Sequence, residues 1–207
     1  MRTCLTCILF LFVFTGCIRD YGDPRKPPLP EESEEKITTF RITFRDSASG
    51  AVQSYFLRDD DGDINNGGTY YGPDFTTQTD SVINLKSHST YYTEILLLNE
   101  THVPADTVSA QVNDESAEHM LFYSAATNSV VRSDPYTVRF AEGNIQVVYD
   151  DKDKNGLPLG LKTKWSAADP VVFRGMKIVL KHQPEGKNGS YDVGTTDLEV
   201  KFSCKVF

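Results

Sequence analysis

Apolar and polar positions alternate with a period of two again and again along this chain. Ile37 to Phe44, Val52 to Leu57, Ser81 to Leu85, Tyr91 to Leu98, Tyr136 to Phe140, Ile145 to Tyr149, Val172 to Leu180 and Leu198 to Phe202 all carry the pattern. Successive side chains of a strand point to opposite faces, so this rhythm predicts strands with one face turned to a core. Val, Ile, Thr, Tyr and Phe fill the runs, and clusters of Gly, Asn, Asp and Pro separate them. The expected fold is all-β, an Ig-like or jelly-roll-like antiparallel β-sandwich of about eight to ten strands.

One segment departs from the rhythm. Pro104 to Glu118 has helical composition after a start rich in Thr and Asp, and His119 to Tyr123 returns to strand character, so a short helical crossover is expected here. No sustained amphipathic helix occurs elsewhere. Gly67-Gly68 leads into Thr69-Tyr70-Tyr71 rather than a helix, which removes the strand, Gly-rich turn and long helix that a dinucleotide site requires. Nor is there a Gly-x-Ser-x-Gly elbow for a nucleophilic serine. With 29 acidic residues, some carboxylate pair will always meet glycosidase spacing, so that criterion discriminates nothing. The chain is not expected to be an enzyme.

The amino-terminal segment follows different rules. Arg2 precedes an apolar run, Leu9 to Phe14, and then Thr15-Gly16-Cys17. A positive start, a short apolar core and a small residue before the cut make a secretory signal, because a spanning helix needs about 20 apolar residues. The small residue followed by Cys17 resembles a bacterial lipoprotein signal, in which the Cys is acylated and the preceding peptide removed. Residues 1–16 are thus expected to be the signal and Cys17 the lipidation site. Residues 17–36 are expected to be the anchor and a disordered tether, with Pro24, Pro27, Pro28 and Pro30 followed by Glu31, Glu32, Glu34 and Glu35. Residues 37–207 are expected to fold as one sandwich domain. The membrane partner is reached through the lipid, and the location expected is the cell outer membrane, with the face left open by Ile18 to Asp23.

Charge and cysteine content narrow the picture. The formal charge is −8, and it becomes one unit more negative when Arg2 leaves; no basic stripe is present to neutralise phosphates, so no nucleic-acid partner is expected. Cys4 and Cys7 leave with the signal and Cys17 is acylated, so Cys204 stays as a lone thiol. It shares the alternate register of Phe202 and Val206 and is expected to be a small buried core residue. Trp165 is expected to pack in the core or at its rim, with a sugar-stacking role as the alternative.

Three clusters offer metal chemistry. Asp151, Asp153 and Asn155, with Gly156, match the first half of a calcium loop, but the usual acidic closure falls on Lys162. Asp59, Asp60, Asp61 and Asp63 crowd around Gly62, and a cation bridging Asp59, Asp61 and Asp63 would relieve their repulsion. Calcium is the candidate cofactor at both loops, and the favoured alternative is a plain strand-connecting turn. The third cluster is conditional: if the strands that start at His119 and end at His182 are neighbours, both imidazoles converge with Glu118 on a transition metal. The alternative is a pair of histidines bonded to loop backbone. His88 and His102 carry less of either expectation.

Several segments in order are similar to a family of Bacteroidetes cell-envelope lipoproteins of the flavobacterial type. These are Asn99-Glu100-Thr101, Glu115 to Tyr123, Asp151 to Leu161, Leu180 to Lys187 and Gly194 to Phe202. Where the family pattern has acidic residues after the second histidine and before the Thr-Asp pair, this chain has Gln183 and Thr195. Some members carry the label of a type 1 periplasmic-binding fold, whose two α/β lobes match neither the length nor the strand pattern here. The resemblance implies an envelope lipoprotein acting beside outer-membrane TonB-dependent receptors. The leading expectation is an accessory or binding lipoprotein that assists uptake of a metal or small ligand; a structural or assembly role comes second and a hydrolase third.

Overall fold

Twelve strands and one α-helix form over the residues that the computed structural model describes, 36–59, 64, 68–72, 82–125, 131–184 and 186–207. All of them belong to the unit that runs from Glu34 to Phe207. In chain order the larger sheet takes β1 (Thr39–Asp46), β2 (Val52–Arg58), β3 (Thr69–Tyr71), β5 (Ser89–Leu98), β7 (Val131–Asp134), β8 (Thr137–Phe140), β9 (Ile145–Tyr149) and β10 (Lys162–Ala167). Its spatial order is β3-β2-β1-β5-β10-β9-β8-β7. The smaller sheet takes β4 (Val82–Leu85), β6 (His119–Ala125), β11 (Val171–His182) and β12 (Thr195–Val206), in the order β4-β12-β11-β6. Neighbours are antiparallel except β4 and β12, which run parallel. The protein is an all-β sandwich.

The alternation in the sequence sets which faces meet. Phe40, Ile42 and Phe44 of β1 are buried, as are Leu198, Val200, Phe202, Cys204 and Val206 of β12. The rings of Phe40 and Phe202 pack across the two sheets at 5.7 Å. Trp165 lies wholly inside, edge-on to Phe44 and Tyr123, with its indole N–H donating to Thr163 Oγ1 at 2.9 Å. It is a core residue and offers no platform to a sugar. Cys204 is a free, buried thiol, and burial pushes it up to about 12.

Three strands exceed the sequence expectation. In β10 the inward positions are Thr163, Trp165 and Ala167, too polar and mixed to read as an apolar face. β3 has only three residues, and β7 is mostly polar. The expected crossover helix is α1 (Val108–Asp114), which buries Val108 and Val112, four apart on one face, against β5. No helix among the described residues is long and apolar enough to cross a membrane.

β6 lies at an edge of the smaller sheet, and three of its outward N–H groups and one outward carbonyl are taken. The N–H of His119 donates to Glu115 O, that of Leu121 to Leu159 O at 2.7 Å, and that of Tyr123 to the Tyr149 hydroxyl at 3.4 Å. The Tyr149 hydroxyl in turn donates to Leu121 O at 2.9 Å. The cap is therefore built from loop backbone and one buried tyrosine.

Candidate metal centre

β6 and β11 are hydrogen-bonded neighbours, and their register sets His119 directly opposite His182. Residues facing each other across an antiparallel pair hold their Cβ atoms about 5 Å apart. The two imidazoles accordingly stack, with ring centroids 4.5 Å apart and planes 6° from parallel.

A third ligand comes from the far side of β11. Leu180 pairs with Leu198 of β12, but Lys181 pairs with Thr196, which leaves Asp197 as the extra residue of a β-bulge. A bulge kinks its strand and re-aims a side chain. Simple alternation would put Asp197 with Glu199 and Lys201, which meet Lys177 and each other on the outer face. The bulge turns its carboxylate inward instead, to 3.9 Å from His119 Nε2. One ligand atom each from His119, His182 and Asp197 lies within 4.8 Å of the other two.

The chemistry of the three suits a first-row transition ion, for which imidazole and carboxylate are good ligands. The His119 Nδ1–H donates to Glu115 O at 3.3 Å, which leaves the lone pair on Nε2, facing Asp197. Metal-bound histidines commonly fix their second nitrogen in this way. Burial, and then the neighbouring His182, push His119 down to about 4, so it is neutral and able to ligate at physiological pH. The 3.9 Å from Nε2 to the carboxylate exceeds a hydrogen bond and approaches the separation of about 3.4 Å between two ligands of one tetrahedral ion. Lone pairs of parallel rings cannot meet at one point, so one ring must tilt. His182, with its side chain 18% exposed, has the room that His119 lacks.

Glu118 takes a different place from the one expected of it. Its carboxylate lies 3.6 Å from His182 Nε2 on the solvent side, outside the group of three, and Asp197 holds the inner position. The surrounding loop is tightly specified. Gln183 is fully buried; its backbone N–H donates to Glu118 O at 2.6 Å and its side-chain amide to Ser190 O and Val193 O. A carboxylate at position 183 could not make those two donations. Gly194 has φ +78°, and a Cβ there would come within 2.0 Å of His182 O.

The loop Asp151 to Asn155 resolves its charge internally. Asp153 Oδ1 accepts from the N–H groups of Asn155 and Leu157, and Asp151 accepts from Gly160 and Lys162. Lys187 Nζ reaches Asp153 at 3.1 Å and donates to Ser116 O at 3.0 Å, with the side chains of the ion pair both fully buried. Burial alone would raise the Asp153 carboxyl, but the Leu157 amide and Lys187 outweigh it and hold it below the ordinary range. The ammonium stands where such a loop would hold its cation. The fit to calcium, which takes six to eight oxygen ligands, is therefore poor. Asp151, by contrast, is raised by burial, with the amides it accepts from opposing the rise.

Asp59 donates its backbone N–H to Thr38 O at 2.9 Å, while Asp61 and Asp63 lie outside the described residues, as does Cys17. His102 pairs with Asp106 at the surface, and exposed His88 lies 3.8 Å from Asp169. No family model, curated protein or solved structure matches this chain, so the chemistry of the site rests on its own geometry.

Proposed function

We propose that this chain is a lipid-anchored cell-envelope lipoprotein that binds a first-row transition ion at His119, His182 and Asp197. The observation that carries it is the facing pair of histidines joined by a buried, bulge-directed carboxylate, each with a ligand atom within 4.8 Å of the others. The donor set of two imidazoles and one carboxylate fits zinc, and also copper, cobalt and nickel, better than calcium or magnesium, which prefer oxygen alone. Three protein ligands leave at least one coordination position for water or a donor from another molecule, an arrangement suited to exchangeable metal. Cys17 and the tether provide the anchor. The role is that of an accessory protein at the outer membrane, beside a TonB-dependent receptor, with the metal as cargo; no step of catalysis is assigned to it.

Isothermal titration of the metal-stripped protein with zinc should give one ion per chain. His119→Ala should abolish that binding, Asp197→Asn should weaken it many-fold, and calcium should not compete. Absence of zinc binding, or equal binding in both variants, would remove the metal from this site.

A further inference from the structure

Four potential donors lie along a gradient of exposure. Side-chain exposure falls from 45% at Glu118 to 18% at His182, 5% at Asp197 and 1% at His119. The distances divide them into two neighbouring carboxylate–imidazole pairs. Glu118 Oε2 lies 3.6 Å from His182 Nε2 at the solvent side, and Asp197 Oδ2 lies 3.9 Å from His119 Nε2 beneath it. The stacked rings, 4.5 Å apart, connect the two pairs.

A hydrated divalent ion cannot shed all its water in one step without a large desolvation cost. An outer pair that replaces the first waters and an inner pair that completes the exchange would divide that cost. His182 belongs to the outer pair, stacks on the inner pair's His119 and is the ring with room to tilt. The main chain of Glu118 is held at both ends, its N–H donating to Glu115 O at 2.8 Å and its carbonyl accepting from Gln183 at 2.6 Å. Only its side chain is therefore able to move.

Building on the metal centre above, we propose that Glu118 is a capture ligand. Glu118 and His182 take the arriving ion first, and His182 then turns out of the stack and passes it to the seat formed with His119 and Asp197, where Glu118 no longer holds it.

Stopped-flow mixing of the detergent-solubilised full-length protein with cobalt(II), followed by its ligand-field absorption, tests this. Glu118→Gln should slow association several-fold, while the dissociation rate and the spectrum of the loaded protein stay those of wild type. Glu115→Gln removes an equal charge whose carboxylate lies 3.8 Å from His119 Nδ1, and should slow association far less. Asp197→Asn should raise the dissociation rate and shift the spectrum. Unchanged association in Glu118→Gln would overturn the capture role, as would equal slowing in Glu115→Gln, which reduces the effect to the local field. A faster dissociation or shifted spectrum in Glu118→Gln would also overturn it, by making Glu118 a ligand of the seated ion. Wild-type protein that takes up no cobalt would instead defeat the metal centre itself.

Discussion

His119 is neutral because its ring is 1% exposed and sits against a second imidazole. Its folded value of about 4 lies below the ordinary 6.5, so protons bind the unfolded chain more readily. The stability that follows is complete above about pH 6.5 and is lost as pH falls toward 4, by about 3 kcal/mol in all. Urea titrations of chelator-treated protein between pH 7.5 and 4.5 should show this decline, and His119→Asn should flatten it. Elsewhere in the sandwich core, Cys204 is held as a thiol by burial. Iodoacetamide should leave it unmodified in the folded protein and label it in urea, as read by mass spectrometry. The burial of Cys204 was legible from its alternate register with Phe202 and Val206. The position of Asp197 was not, because alternation assigns it to the outer face and a bulge leaves no mark in residue type.

At the scale of elements, the hairpin that joins β11 to β12 sets the geometry of the centre. Gly194→Ala combines an unfavourable backbone conformation with a clash against His182 O. It should cost at least about 2 kcal/mol and weaken metal binding together with stability, measurable by chemical denaturation and zinc titration. Lys187 ties the same loop to the turn before β6 and to Asp153. Lys187→Met strands a buried carboxylate and should cost about 3 to 5 kcal/mol. Adding Asp153→Asn should recover part of that loss, since Oδ1 still accepts from Asn155 and Leu157. That β6 and β11 would lie side by side could be posed from the sequence only as a condition, because strand order depends on pairings far apart in the chain. β10 was hidden for a nearer reason: Thr163, Trp165 and Ala167 do not look like a core face until Thr93 and Tyr123 are seen bonding to Thr163.

For the whole molecule, the period-two rhythm was enough to predict an all-β sandwich with one short helix, while the number of strands and their order came from the structure. The proposed lipid anchor belongs to this scale too. Cys17→Ser should move the protein from the membrane to the soluble fraction and abolish incorporation of labelled palmitate; continued labelling would place the lipid elsewhere. The capped edge of β6 has its own bearing on such a protein. Chains confined to a bilayer meet one another far more often than chains in bulk solution, and an open strand edge would invite pairing between neighbours. With the N–H groups of His119, Leu121 and Tyr123 already bonded to Glu115, Leu159 and Tyr149, three donors that a neighbour's strand would need on this edge are taken, so anchored as proposed, even a dense lawn of these molecules should resist growing into fibres from that side.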